Sequence, residues 1–322
     1  MFHKHTNIFY SGGACCSEAI QIDLSKHISV FPLFGSWDNT PCTYVTVKDC
    51  YFSECGNGVG SHAFTSEVFH QSIKIINNFF YNLEDAAVKS LYWTRANIRG
   101  NTILIINNGS GIQAVKMDNS IISNNTIHDT ESNGIIIKNS ENLEVNGGEI
   151  KYCDSHGISI VNGSTSDEKT KNVLINGLEI RHNGVLGVEL AADLTYLHNC
   201  NISDNGSHGV YVYACTSSEI AMCDIKNNTG HGVTATGSTT ISNTVKDCTF
   251  VDNNTDVLVG NQASKNVVKG NVFFGSKTSG YNIWIQNGTT NNVVAFNEAK
   301  SSSRTTRFND ASTTTKKDFN FV

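Results

Sequence analysis

The segment 200–213, CNISDNGSHGVYVY, is followed by 223–236, CDIKNNTGHGVTAT, in the same register. Each copy has a short β-like run, a polar turn rich in Asn, Asp and Gly, and then a glycine that opens an alternating apolar run. Alternation with a period of two residues sends one side chain into a core and the next outward. A unit this short cannot bury its apolar face alone, so we expect successive units to stack.

The unit recurs along most of the chain. One apolar position returns every 22 to 30 residues, at Phe52, Phe80, Ile103, Ile127, Ile150, Ile180, Ile202, Ile225, Phe250 and Phe273. The position two residues earlier holds Cys50, Asn78, Asn101, Asn125, Gly148, Leu178, Cys200, Cys223, Cys248 and Asn271. This pattern predicts coils of three short strands whose equivalent residues lie about 4.8 Å apart. We expect the stacked Asn side chains to hydrogen-bond with one another along the stack. We expect glycine to open the strands because the preceding turn requires unusual backbone angles.

Composition excludes several classes of protein. The 322 residues carry a formal net charge of -6, whereas a nucleic-acid binder is usually basic. The charged fraction of 16%, with 39% hydrophobic residues, is not that of a disordered chain. No stretch approaches the roughly 20 apolar residues of a membrane helix, so we expect no membrane partner. The first residues lack the apolar core of a secretory signal, which indicates either a fragment, with an N-terminal domain missing, or another export route.

The repeat resembles the right-handed parallel β-helix of the pectin-lyase-like superfamily, over about residues 7–300 and roughly eleven coils. We therefore expect an all-β solenoid domain at 1–300, with a polar C-terminal cap or tail at 301–322. The resemblance implies a polysaccharide-active protein such as a polysaccharide lyase or a phage tail depolymerase. It also implies an extracellular or virion location and often a homotrimer. A leucine-rich repeat would need a regular leucine ladder, and a propeller would need longer repeats of about 40 residues.

The repeats are also similar to those of mannuronan epimerases, as in Asp204-Asn-Gly-Ser-His-Gly-Val. The Asp-Pro-His signature of those enzymes is absent. The Arg-rich, Asp-paired pattern of calcium-dependent pectate lyases and the paired-Asp motif of polygalacturonases are absent too. The resemblance therefore indicates the superfamily and leaves the activity open.

The irregular segment from Glu18 to Arg95 carries two long insertions, and long loops on a rigid scaffold commonly carry function. Our candidate catalytic residues all belong to it: Asp23, His62, Lys89, Asp38, Tyr92 and Arg95. In a lyase acting on a glycan that could contain uronate, His62, Lys89 or Tyr92 would be base or acid, and Arg95, Gln21 or a cation such as calcium would stabilise the anion. In a glycosidase, Asp23 and Asp38 would form the carboxylate pair. We favour β-elimination.

Outward positions of the glycine-led strands, together with aromatic and polar loop residues, form the candidate substrate-binding set. Its members are Gln21, Trp37, Glu67, His70, Trp93, Gln113, Lys138, Glu189, Tyr211 and Tyr213. A non-catalytic glycan-binding or receptor-binding solenoid is the alternative, with Tyr211, Tyr213 and Trp284 as its sugar-binding stripe.

Histidines and cysteines recur at fixed positions. His156, His208 and His231 precede the strand glycine in three coils; their spacing suggests a metal site, but we favour a structural role and predict no metal site and no cofactor. The cysteines are expected to be buried thiols. A disulfide between Cys200 and Cys223, or between Cys223 and Cys248, would suit the stacked geometry poorly. Cys42 could link to Cys15 or Cys16.

Overall fold

The computed structural model describes residues 18–22, 41–61, 68–163, 165 and 168–318. The strands in the first half of this described part are β1 Glu18–Gln21, β2 Thr46–Lys48, β3 Tyr51–Ser53, β4 Asn57–Gly60, β5 His70–Gln71, β6 Lys74–Ile76, β7 Phe79–Leu83, β8 Ala86–Thr94, β9 Asn97–Arg99, β10 Thr102–Ile106, β11 Ile112–Thr130, β12 Ile135–Lys138, β13 Glu141–Cys153, β14 Ile158–Val161, β15 Lys171–Asn176 and β16 Glu179–Arg181. Those in the second half are β17 Val188–Ala191, β18 Asp193–His198, β19 Asn201–Ser203, β20 Val210–Tyr213, β21 Glu219–Ala221, β22 Asp224–Lys226, β23 Val233–Thr236, β24 Thr244–Lys246, β25 Thr249–Val251, β26 Val257–Gly260, β27 Val267–Lys269, β28 Val272–Phe274, β29 Ile283–Ile285, β30 Val293–Ala295, β31 Phe308–Asp310 and β32 Lys316–Asp318.

Every strand pairing is parallel and joins equivalent strands of neighbouring coils. Three long sheets result, and we name them in the order in which the chain visits them. Sheet A contains β1, β4, the start of β8, the start of β11, β12, β14, β17, β20, β23, β26, β29 and β31. Sheet B begins with β2, β6 and β9, and sheet C with β3, β7 and β10. The predicted all-β solenoid is confirmed.

The predicted apolar column runs through sheet C without a slip in register, from Phe52 opposite Phe80 to Phe250 opposite Phe273. Its side chains are buried, and the phenyl rings at both ends of the column stack. A one-residue slip would turn this whole set toward solvent, so burial of one face fixes the register.

Buried asparagines stack as predicted, and they do so in more than one column. Asn78, Asn101 and Asn125 form a ladder in which each Nδ2 donates to the next Oδ1 at 3.0 Å. A second ladder, which the sequence analysis did not identify, joins Asn183, Asn205, Asn228 and Asn253 at 2.9–3.0 Å. Each amide also satisfies backbone groups at the corners of the coil. The ladders thus supply hydrogen-bond partners for backbone groups at the corners of the coils, which would otherwise be buried and unsatisfied.

The strand-opening glycines are required for a reason other than the predicted one. Gly157, Gly187 and Gly209 have no positive φ. A β-carbon on any of them would lie 2.6–2.7 Å from the carbonyl oxygen of the equivalent glycine in the next coil. Close approach of stacked backbones, and not a left-handed conformation, therefore excludes larger residues here.

The C-terminal segment continues the stack. Strand β31 pairs with β29 and β32 pairs with β30, so residues 301–318 add strands to sheets A and B. Arg304 from this segment is buried against Asp256, with a 3.4 Å distance between Nη2 and Oδ1. Three cysteines of the column, Cys200, Cys223 and Cys248, are buried free thiols, as expected, and the fourth, Cys50, is a half-buried free thiol. The possible partners of Cys42, which are Cys15 and Cys16, lie outside the described residues.

Candidate active site

The outward face of sheet A carries a continuous row of side chains in the predicted order. Its register runs through Gln21, Gly60, Lys89, Gln113, Ile136, Ser159, Glu189, Tyr211, Thr234, Leu258 and Trp284. Each step along this row is one coil, or about 4.8 Å. Residues two positions later in each strand, including Lys138 and Tyr213, form a parallel second row.

Glu189 is the centre of a polar cluster on this face. Its Oε2 accepts a 2.5 Å hydrogen bond from Ser159 Oγ in the preceding coil, and its Oε1 accepts one of 2.9 Å from Tyr213 in the following coil. Nε2 of His156 lies 3.8 Å from Oε2. The carboxylate side chain is only 17% exposed. Three coils thus contribute groups to one carboxylate on an otherwise open sheet.

The hydrogen bonds of His156 define its tautomer. Its Nδ1 accepts the backbone N–H of Leu186 at 3.3 Å, so the proton of the neutral ring is on Nε2, which faces Glu189. Burial lowers the pKa of His156, although the nearby Glu189 carboxylate opposes this shift. His156 is therefore a neutral polar neighbour of the carboxylate.

Tyr213 is a proton donor in this cluster. Burial, and next the hydrogen bond to Glu189, raise its pKa to about 12, so the phenol stays protonated near neutral pH. Tyr211 lies beside it on the same face, with ring centroids 5.4 Å apart. The Tyr211 ring stacks on His208, which in turn stacks on His231. The arrangement combines an acid, a base and an aromatic surface.

The histidine set has the structural contacts that the sequence analysis favoured. Nδ1 of His208 accepts the backbone N–H of His231 at 2.9 Å, and Nδ1 of His231 accepts that of Thr255 at 3.2 Å. No group of three or more His, Cys, Asp or Glu that could hold a metal ion occurs among the residues that the structure describes.

Several predicted site residues lie outside the described residues: Asp23, Trp37, Asp38, His62 and Glu67. Of the others in the N-terminal segment, Lys89 does lie in the outward row of sheet A. Its Nζ is 2.7 Å from Asp85 Oδ2, and Gln113 Nε2 donates to Asp85 Oδ1 at 3.0 Å. Asp85, which the sequence analysis missed, therefore links two predicted residues.

Tyr92 and Arg95 do not converge with Lys89. Tyr92 lies within β8, just after the part of that strand that belongs to sheet A. It is only 9% exposed, and its hydroxyl accepts a 2.8 Å hydrogen bond from Lys116. Arg95 lies in the next turn and donates to Gln71. The three predicted catalytic side chains therefore have three different partners: Asp85 for Lys89, Lys116 for Tyr92 and Gln71 for Arg95.

Two predicted substrate contacts are wrong because the side chains are buried. Trp93 is fully buried, and its Nε1 donates a 2.7 Å hydrogen bond to Ser61 Oγ. His70 is 1% exposed, and its Nδ1 accepts the backbone N–H of Cys42 at 3.1 Å. Neither ring can face a sugar. Gln21 is exposed and Lys138 is half-buried, both on the outer face of sheet A.

Comparison with known proteins identifies the architecture. A family model described as a right handed beta helix region matches residues 38–176 and 166–299. No curated protein sequence matches the chain significantly. No helix in the described part of the chain is long and apolar enough to cross a membrane.

Solved structures share the fold at low identity. The A-module of the mannuronan C-5 epimerase AlgE6 from Azotobacter vinelandii has a TM-score of 0.64 and 16% identity, over 86% of this chain and 74% of its own. DFA-IIIase from Arthrobacter chlorophenolicus A6 has a TM-score of 0.58 and 11% identity, over 74% and 66%. ORF18 of Geobacillus virus E2 has a TM-score of 0.52 and 14% identity, over 79% and 52%. Such identities establish a common fold.

Proposed function

From the premise that the chain belongs to the right-handed β-helix family, we propose that it is a polysaccharide-modifying enzyme that cleaves an extracellular, uronate-containing glycan by β-elimination on sheet A. The observation that carries the proposal is the hydrogen bond between Glu189 and Tyr213 on the outer face of that sheet. A structural neighbour whose name includes mannuronan, a uronate polymer, supports the choice of substrate class.

The two residues have complementary proton chemistry. Glu189 removes the proton on the carbon alpha to the uronate carboxyl, and the electron pair forms the double bond as the bond to the β oxygen breaks. Tyr213, kept protonated by its raised pKa, donates its proton to that leaving oxygen. Because both groups approach from sheet A, the elimination is syn.

The hydrogen bond between these residues also restores the starting state. After one turnover Glu189 is protonated and Tyr213 is a phenolate, and their oxygens are 2.9 Å apart. Transfer of the proton from the carboxyl to the phenolate across this bond regenerates both groups without a second general acid. Lys138 lies in the second outward row, two coils before the coil of Glu189. We assign it as the cation that binds the substrate carboxylate.

The spacing of carboxylates argues against a hydrolase. Glycosidases place two carboxyl groups about 5–9.5 Å apart. Glu189 is the single carboxylate in the two outward rows of sheet A, within the described residues. Asp85 precedes the Lys89 strand, four coils away, or about 19 Å along the axis. The pair Asp23 and Asp38 lies outside the described residues.

The test is a panel of acidic and neutral polysaccharides offered to the wild type and to Glu189→Gln. We expect new ultraviolet absorbance from an unsaturated uronate with the wild type, and its loss with Glu189→Gln. Glu144→Gln, an exposed carboxylate on sheet B, is the matched control and should keep full activity. Reducing ends without absorbance would replace the lyase with a hydrolase. Glycan binding without any reaction would make the protein a binding solenoid.

The same proposal places the protein outside the cell or on a virion. The likeness to a viral protein supports the second location. We further propose a homotrimer, which light scattering on the purified chain would test directly.

A further inference from the structure

Beyond Glu189 toward the C-terminus, sheet A borders an open cleft of about 430 Å³. The two tyrosines Tyr211 and Tyr213 form one side, with their rings inclined at 44°. The other side is formed by Asn261 and Gln262, whose left-handed backbone (φ 46° and 68°) turns the chain away from the sheet. Thr236 lies between the two sides.

Among the residues that the structure describes, no charged side chain lines this cleft. The remaining lining residues are alanine, glycine, serine and threonine. The outward rows stay uncharged for three more coils, through Thr234, Leu258 and Trp284 in one row and Gly260 in the other. The neighbouring imidazoles are also neutral at pH 7, because burial lowers the pKa of His208 and brings that of His231 to about 4.

The N-terminal side of Glu189 is different. Lys138 lies in the second outward row and Lys89 in the first, with Lys116 at the edge of the sheet. Lysines of sheet A are thus confined to one side of the carboxylate, among the described residues. A sugar carboxylate could find a cation there.

An anionic sugar in the cleft would lack a counter-charge and would lie beside the Glu189 carboxylate, so its desolvation would be costly. A neutral sugar would have none of this penalty. Its apolar face can pack on the Tyr211 and Tyr213 rings, and its hydroxyl groups can bond with the amides of Asn261 and Gln262.

We infer that the glycan is a heteropolymer in which a neutral sugar unit occupies this cleft and the adjacent uronate unit lies toward Lys138. The inference rests on the proposed function and specifies its substrate class. The bond that breaks joins the two units at the β oxygen of the uronate. One product then begins with an unsaturated uronate, and the other ends in a neutral reducing sugar.

The test compares a homopolyuronate with a polysaccharide in which uronate and neutral sugars alternate. We expect at least tenfold higher kcat/KM on the alternating polymer, and mass spectrometry should show neutral sugars at the new reducing ends. Equal or better turnover of the homopolyuronate, with uronate reducing ends, would overturn the inference.

Binding measurements separate this inference from the proposed function. If neither polymer is cleaved, the elimination proposal fails, and the relative affinities still decide the inference. Tighter binding of the alternating polymer supports it, and equal or tighter binding of the homopolyuronate overturns it. Titration calorimetry with soluble oligosaccharides from each polymer provides the comparison.

A charge added to the cleft gives an independent check. Thr239 is an exposed lining residue, and Thr239→Lys should improve homopolyuronate binding about fivefold, as expected for one added ion pair. Thr46→Lys, at an exposed position on sheet B in the first coil, is the matched control and should change nothing. No gain with Thr239→Lys, or the same gain with both variants, would count against a substrate unit in this cleft.

Discussion

The phenol of Tyr213 donates a 2.9 Å hydrogen bond to Oε1 of Glu189, and the two residues belong to adjacent coils of sheet A. The bond joins two side chains and is not part of the backbone hydrogen bonding of sheet A. It fixes an acid and a base at one point of a face that otherwise repeats with each coil. The hydroxyl oxygen of Tyr213 can therefore be removed by substitution without disturbing the scaffold.

Tyr213→Phe should reduce kcat on the uronate glycan by about 10²–10⁴-fold, since it removes the proton donor and keeps the ring. The affinity for the glycan should change little because the aromatic surface remains. Absorbance assays give the rate, and calorimetry gives the affinity.

Tyr211→Phe is the control for that variant. The Tyr211 ring stacks on His208, whereas the hydrogen bonds of Glu189 come from Ser159 and Tyr213, so the Tyr211 hydroxyl has no part in the proposed proton transfer. We expect kcat within a few-fold of the wild type. Equal losses in both variants would show that the hydroxyl of Tyr213 has no special role.

The stacked imidazoles should make stability depend on pH. Burial, and next the neighbouring His208, lower the pKa of His231 from 6.5 to about 4 in the folded state. Between these two values the unfolded chain binds more protons than the folded chain, so the free energy of unfolding rises with pH. The contribution is fully present above pH 6.5 and is lost as the pH falls through 4.

Urea unfolding at several pH values tests this expectation. His231→Gln keeps a side chain that can accept the Thr255 N–H but cannot become charged. The difference in unfolding free energy between wild type and variant should therefore shift in favour of the wild type as pH rises from 4 to 6.5. A difference that does not change with pH would show that His231 is not held neutral by the fold.

Most of the scaffold could be predicted because every coil imposes the same constraint. The outward order from Lys89 to Trp284 followed from glycine positions and alternation alone, and register errors would have exposed the core. The wrong prediction that Trp93 contacts the substrate has a local cause. Tyr92 adopts a left-handed conformation (φ 57°) that reverses the alternation, so the next side chain points inward.

The site was harder to predict than the scaffold. Loop length directed attention to the N-terminal segment, whereas the polar cluster lies in the regular coils around Glu189. His156 immediately precedes the strand glycine, where a repeating residue usually has a structural role. The contact of its Nε2 with Glu189 depends on the side-chain direction at a turn, which period-two reasoning does not provide. Glu189 and Tyr213 were found because both lie within a regular strand.

The buried ion pair of Asp256 and Arg304 should anchor the last coils. Both side chains are almost inaccessible, at 0% and 2% exposure, and Arg304 also donates to the carbonyl groups of Asn253 and Asn254 at 2.6 Å. Burial raises the pKa of Asp256 to about 6, against the opposing effect of Arg304. Removing the arginine therefore leaves a carboxyl group that is costly to ionise.

Arg304→Met should lower the free energy of unfolding by about 3–5 kcal/mol, because it removes the buried partner of Asp256 and the bonds that Arg304 donates to the carbonyl groups of Asn253 and Asn254. The double variant with Asp256→Asn should recover part of this loss. Chemical denaturation measures both effects. The exposed pair of Lys48 and Asp49 supplies the control, and Lys48→Met should change stability by less than about 1 kcal/mol. A similar small change at Arg304 would exclude an anchoring role.

The second asparagine ladder predicts where a single amide matters most. Oδ1 of Asn205 accepts hydrogen bonds from both the backbone N–H and the Nδ2 of Asn183, each at 3.0 Å, and the residue is fully buried. Asn205→Ala leaves these donors without a partner and should destabilise the protein by about 1–3 kcal/mol or more. Asn108→Ala removes an exposed 3.0 Å bond from Asn108 to Glu84, at a position without positive φ, and should cost less than about 0.5 kcal/mol. Equal effects of the two variants in denaturant titrations would show that the ladder adds nothing to the apolar stack, because burial is the property in which the two asparagines differ most.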